Sequence, residues 1–148
     1  MSDRDDAMSS MKRLMQAQKY AVLASDDRGQ PYASLMAFAA TENGKQVVLA
    51  MNRDTRKHNN IRVNGHVALL IDDRENKGSD TQQAVAVTIL GEAREAEGEE
   101  RRRLTEIFLL RHPQLREFVE SPCSAVVLVS AEAFRLVARF ENAVEWHV

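Results

Sequence analysis

Between residues 20 and 51 the chain holds three apolar, strand-forming stretches, separated by turns too short to contain another element. Tyr20-Ala-Val-Leu-Ala-Ser25 reads as a strand and Asp26-Asp-Arg-Gly-Gln30 as a turn built around Gly29. Pro31 to Ala40 is the second strand, with Pro31 at its first position, where a missing N–H is tolerated. Glu42-Asn-Gly-Lys45 carries the Asn-Gly pair of a tight hairpin, and Gln46 to Met51 returns. Strands joined this closely can only run antiparallel, so the expectation is a meander at the heart of the fold.

The flanking segments add helices and more strands. Met8, Met11, Met15 and Gln18 form a helical stripe over 8–18, with Ser9 or Ser10 available as a cap and a disordered tail expected over 1–7. The methionine stripe suits core or dimer packing. Asp54 is placed to cap a short helix carrying Ile61 and Val63, which Gly65 ends. His66-Val-Ala-Leu-Leu-Ile-Asp72 is a strand apolar on both faces, and Asp73 to Asp80 a charged loop. Gln82 to Glu95 is the longest strand candidate, with Gly91 as a bend or bulge. Glu97 to Arg111 is an amphipathic helix, Pro113 opens another helical turn, and Ala125–Ser130 and Ala133–Phe140 are two further strands. The expected fold class is α+β: a six- or seven-stranded antiparallel barrel or sheet with two to three flanking helices.

Composition narrows the function classes. The 148 residues suit one domain, and 20 Lys+Arg against 22 Asp+Glu give a net charge of −2, with no global basic field for nucleic acid. No apolar run reaches the ~18 residues of a membrane span, and the polar, acidic start is unlike a secretory leader. A soluble, cytoplasmic protein is expected. The one cysteine, Cys123, excludes an internal disulfide and a multi-thiolate metal site. It reads as a packed thiol at the start of a strand.

Familiar catalytic signatures are absent: no Gly-x-Gly-x-x-Gly, no Gly-Lys-Ser/Thr, no Gly-x-Ser-x-Gly and no His-Glu-x-x-His. The four histidines, His58, His66, His112 and His147, fall on different elements, so no metal site is expected. The segment Arg53-Asp-Thr-Arg-Lys-His58 is different. A helix N-terminus carries about half a positive charge, so bases there are penalised by some tenths of a kcal/mol each. Unpaired N–H groups, two or three cations and the Thr55 hydroxyl would together suit a phosphate. A solvated basic patch on a fraying helix is the plainer alternative.

Ordered along the chain, Pro31-Tyr-Ala-Ser-Leu-Met-Ala-Phe38, Val47-Val-Leu-Ala-Met51 and Thr55-Arg-Lys-His-Asn-Asn-Ile61 resemble the pyridoxamine 5′-phosphate oxidase-like FMN-binding split-barrel family. Val67-Ala-Leu-Leu-Ile71, Ala86 to Ala93, His112-Pro113 and Phe140 to Trp146 are similar to its haem-utilisation-type branch. The likeness covers roughly residues 10–146 and lies in order and spacing, since each motif alone is degenerate.

The resemblance implies a split barrel, a homodimer, and FMN in a cleft shared by two subunits. Carried over by position, Thr55, Arg56 and Lys57 fall on the phosphate-binding element, and Ser34, Leu35 and Met36 on the strand beside the flavin. Met51 and Asn52 fall on the strand end that offers a hydroxyl and backbone groups, with Met51 replacing the usual hydroxyl residue. Gln82 or Gln83 falls near a polar contact position, and Trp146 near the closing segment. The chain lacks the arginine-containing C-terminal segment of the true oxidases, which argues against pyridoxamine phosphate as substrate. The implied function is an FMN-dependent oxidoreductase acting on an unidentified small molecule. The alternatives are a non-catalytic flavin- or haem-binding sensor, store or carrier, and a cofactor-free interaction protein.

Overall fold

In the computed structural model, which describes residues 2–148, eight strands alternate with five α-helices. The strands are β1 (Tyr20–Asp27), β2 (Gln30–Ala37), β3 (Ala39–Ala40), β4 (Gln46–Asn52), β5 (His66–Asp72), β6 (Val85–Glu95), β7 (Ser124–Ala138) and β8 (Asn142–His147). The helices are α1 (Asp3–Ala17), α2 (Arg56–Val63), α3 (Asp80–Gln83), α4 (Gly98–Arg111) and α5 (Arg116–Glu120). A short 3₁₀ turn at Pro113–Leu115 separates the last two.

Strand order gives the sheet its shape. All pairings are antiparallel, in the order β2-β1-β5-β6-β7-β4-β3, with β8 on β7. β2 and β3 therefore lie at opposite edges, yet only Phe38 separates them in the chain. A sheet whose edges are one residue apart must curl until they nearly meet, which is a barrel left split along one seam. Phe38 is fully buried in that seam. Its N–H donates to the Lys19 carbonyl at 3.1 Å, and its own carbonyl accepts from His112 Nε2 at 2.8 Å. The meander expected over 20–51 is accordingly corrected: β1 and β2 form a hairpin, but β4 crosses to pair with β3 and β7.

Two apolar layers follow from period-2 alternation on β7. Ala125, Val127 and Val129 face the barrel interior, with α1 supplying Met11, Leu14 and Met15. Val126 and Leu128 face outward and are covered by Leu104, Phe108 and Leu109 of α4. This double coverage makes the first half of β7 continuously apolar. On the outer face of β1, β2, β5 and β6, by contrast, Leu35 is 73% exposed, Tyr20 56% and Leu90 52%.

Local chemistry explains where elements begin and turn. Ser2 caps α1 through a reciprocal box with Asp5, and Asp3, Asp5 and Asp6 complement the dipole. The helix thus starts earlier than the methionine stripe. Asp3 to Ala7, expected as a disordered tail, are helical; Met1 lies outside the described residues. At the β6–β7 bulge, any Cβ on Gly91 would run into the Ser130 carbonyl oxygen, so only glycine fits. The two expected strands over 125–140 are one, β7, and β8 follows through Arg139 and Phe140 at φ +55° and +58°. No glycine or asparagine marks that reversal. Gln82 and Gln83, expected at the start of β6, belong instead to the short helix α3.

Candidate functional site

The β4–α2 junction assembles itself from short-range hydrogen bonds. Asn52 ends β4; its Oδ1 accepts from the Asp54 N–H at 2.8 Å, and its carbonyl accepts from Thr55 Oγ1 at 2.7 Å. Thr55 is the N-cap, its hydroxyl accepting from the His58 N–H at 3.3 Å. Asp54 had been expected in that role; the hydroxyl of the next residue takes it. No acid lies in the first turn of α2, so Arg56 and Lys57 stand at its positive end without an acidic neighbour there. Among the described residues, the N–H groups of Arg56 and Lys57 donate to no protein acceptor.

The four basic side chains of 53–58 separate in space. Arg53 is drawn to Glu95 at the end of β6, donating to Oε2 at 2.7 and 3.1 Å, and also to the Pro122 carbonyl at 2.7 Å. His58 Nε2 lies 2.9 Å from Glu95 Oε1. Arg53 chiefly, and His58 after it, hold the Glu95 carboxyl below the usual carboxylate range, and Glu95 in turn raises Arg53. Arg56 turns the other way, its guanidinium 5.2 Å from the Tyr32 ring centroid and 3.7 Å from Asp27 Oδ2. Lys57 is half-buried with no carboxylate within ion-pair distance among the described residues. Arg56, the free N–H groups at the start of α2 and the Tyr32 ring therefore share one rim above the β1–β2 hairpin, with Lys57 the next residue along the helix.

Strand register sorts the remaining expected positions. Ser34 pairs with Leu23 and Tyr32 with Ser25, so both lie on the inward row of β2, beside α2. Leu35 lies on the opposite face, where it pairs with Val22. Met36 and Met51 are buried in the main core at 5% and 1% exposure, so only their backbone groups could serve a ligand. Trp146 is likewise in the core, stacked on Phe134 with centroids 5.2 Å apart. Gln83 lies before the first residue of β6, whereas Glu95 is its last; eleven extended residues span about 30 Å. Ser34, Asn52, Thr55, Arg56 and Lys57 thus gather in one region, and Gln83 does not join them within one chain. Tyr32 and Asp27 were missed in the sequence; the alternation that put Ser34 on the inner row also places Tyr32 there.

The other depressions are separate. A cleft of about 280 Å³ on the far side of α2 is lined by His58, Arg62, Glu92 and Glu95. A wider groove of about 770 Å³ runs between α4 and α5. Cys123 is exposed rather than packed. No group of three potential metal ligands occurs among the described residues, and no helix there is long and apolar enough to cross a membrane.

Comparison with known structures finds the same fold in proteins of low sequence similarity. The haem-binding protein from Mycobacterium smegmatis superposes with a TM-score of 0.86 at 15% identity, over 95% of this chain and 57% of that one. This chain therefore spans little more than half of that protein's length. A putative pyridoxamine 5′-phosphate oxidase from Listeria innocua gives 0.71 at 20% identity, over 88% and 97% of the two chains. A FAD-binding protein from Mesorhizobium loti gives 0.71 at 15% identity, over 86% and 90%. Comparison with curated protein sequences gives no significant match. The family model described as pyridoxamine 5′-phosphate oxidase matches residues 8–138. With its split barrel and nearly its whole length in that match, the chain belongs to the pyridoxamine 5′-phosphate oxidase family.

Proposed function

We propose that residues 1–148 form one FMN-binding split-barrel domain, that two copies make a homodimer with FMN at the interface, and that the dimer is a cytoplasmic oxidoreductase acting on a small molecule. The observation that carries this reading is the start of α2, where Arg56 and Lys57 stand beside unpaired helix N–H groups with no acid in the first turn. This donor set fits a phosphate monoester: two cations and two N–H groups answer the charge and the oxygens. The Thr55 hydroxyl, already donating to Asn52 and accepting from His58, acts as the cap that aims those N–H groups.

The flavin supplies hydride or electron transfer when bound, which accounts for a chain without an acid–base dyad or triad. Arg56 and Lys57 hold the phosphate, while Tyr32 and Ser34 line the approach along β2. The dimer is supported by two features. Leu35, Tyr20 and Leu90 leave one sheet face apolar and uncovered. Gln83 lies beyond the end of β6 opposite to Glu95, so it would reach a phosphate-end cleft only from a second copy.

The test is a titration of purified protein with FMN, riboflavin and haem, followed by absorbance and flavin fluorescence. Binding of FMN well above riboflavin is expected, and equal binding of the two overturns the phosphate assignment. A haem-binding module is the second reading, favoured by the likeness to the haem-binding fold of the Mycobacterium smegmatis protein. A Soret shift on adding haem, with no flavin bound, would replace the first reading with the second.

A further inference from the structure

One carboxylate reaches both sides of the α2 cap. Glu95 arrives from the end of β6, 42 residues beyond Arg53 and 37 beyond His58. Arg53 precedes the cap Thr55 by two positions and donates two bonds to Glu95. His58 follows Thr55 by three positions and meets the other carboxylate oxygen at 2.9 Å. Arg53 is further anchored to the Pro122 carbonyl, and its backbone N–H donates to Cys123. The turn that presents Arg56 and Lys57 is thus pinned at its entry and at its first helical turn by the same side chain. A charge-assisted bond that is bidentate on one side fixes orientation as well as distance.

We infer that Glu95 is a positioning residue for the anion site at Arg56 and Lys57, setting the direction of the helix N–H groups and keeping Arg53 and His58 out of the site. This inference rests on the proposed binding of a flavin phosphate at that turn. Two consequences of losing the carboxylate oppose each other. Removing a negative charge near the site favours an anion, while releasing the turn disfavours it. Preformed donors hold an anion at little reorganisation cost, so the loss of order outweighs the gain in charge.

Glu95→Gln keeps the size of the side chain and removes its charge. The expected result is a fall of about five- to tenfold in FMN affinity with riboflavin affinity unchanged. Faster amide exchange is expected over residues 53–59, with β7 unaffected. A merely structural role would weaken both flavins together. Should Glu95→Gln fail to fold, His58→Gln, which removes only one arm, is expected to lower the FMN-to-riboflavin preference in the same direction by a smaller factor. An unchanged or increased preference for FMN in the folded variants would overturn the inference, since Glu95 would then act only as a charge or not at all. Arg56→Ala/Lys57→Ala is measured alongside. If wild type shows no preference for FMN, or this double variant retains it, the phosphate reading fails whatever Glu95 does.

Discussion

His112 donates from Nε2 to the Phe38 carbonyl at 2.8 Å, across the seam where the barrel's two edges come together. Both side chains are fully buried, and His112 also lies against Phe108, ring centroids 4.9 Å apart. Phe38 is the single residue joining one edge of the sheet to the other, so its carbonyl has no strand partner to use. Replacing the imidazole with a ring that cannot donate, His112→Phe, leaves that carbonyl unsatisfied. A loss of about 1–3 kcal/mol is expected in urea unfolding, with the slope unchanged.

The uncovered sheet face yields a prediction about assembly. Leu35 sits on the outer row, paired with Val22, and is 73% exposed. Leu35→Glu places a charge on that face without touching the core. Light scattering is expected to show a dimer for the natural chain and a monomer for the variant, with similar circular dichroism. A dimer that persists in Leu35→Glu would put the interface elsewhere.

Asp27 lies 3.7 Å from Arg56 and would repel a phosphate seated on that guanidinium. Asp27→Asn removes the competition while keeping the size of this partly buried side chain. FMN affinity is expected to rise about two- to threefold at low salt, and the gain to shrink near 0.5 M salt, where screening acts within about 4 Å. Riboflavin serves as the control and is expected not to change.

The Glu95 network carries a pH dependence of defined sign. Its carboxyl is held below the usual value of 4.5, foremost by the Arg53 hydrogen bonds. A carboxyl depressed on folding stabilises the native state fully above its unfolded value, and that contribution drains away as pH falls through the lower folded value. Glu95→Gln is therefore expected to cost about 1–2 kcal/mol at neutral pH. The gap from wild type should close below about pH 4.5, as read from thermal unfolding across a pH series.

Much of the local structure was legible before folding was considered. The Gly29 turn, the Asn43-Gly44 reversal and the strands around them announce themselves through turn chemistry and alternation. The cationic first turn of α2 was legible for the same reason, since charge against a helix dipole is a contradiction within six residues. β8 was hidden because Arg139 and Phe140 adopt left-handed φ with no glycine to signal it. The start of α1 was hidden because its acidic first turn resembles a solvated tail until Ser2 and Asp5 close their box.

By itself, the sequence determined most of the strands and helices up to β7, and that basic residues gather at 53–58. Tertiary structure alone decided that β4 leaves β2 for β7, that the sheet curls shut on Phe38, and that Arg53 and His58 turn to Glu95 while Arg56 turns to Tyr32 and Asp27. The physical reason is range. Turn and helix propensities act over a few residues, whereas Glu95 meets Arg53 and His58 only after some forty intervening residues have wrapped the barrel.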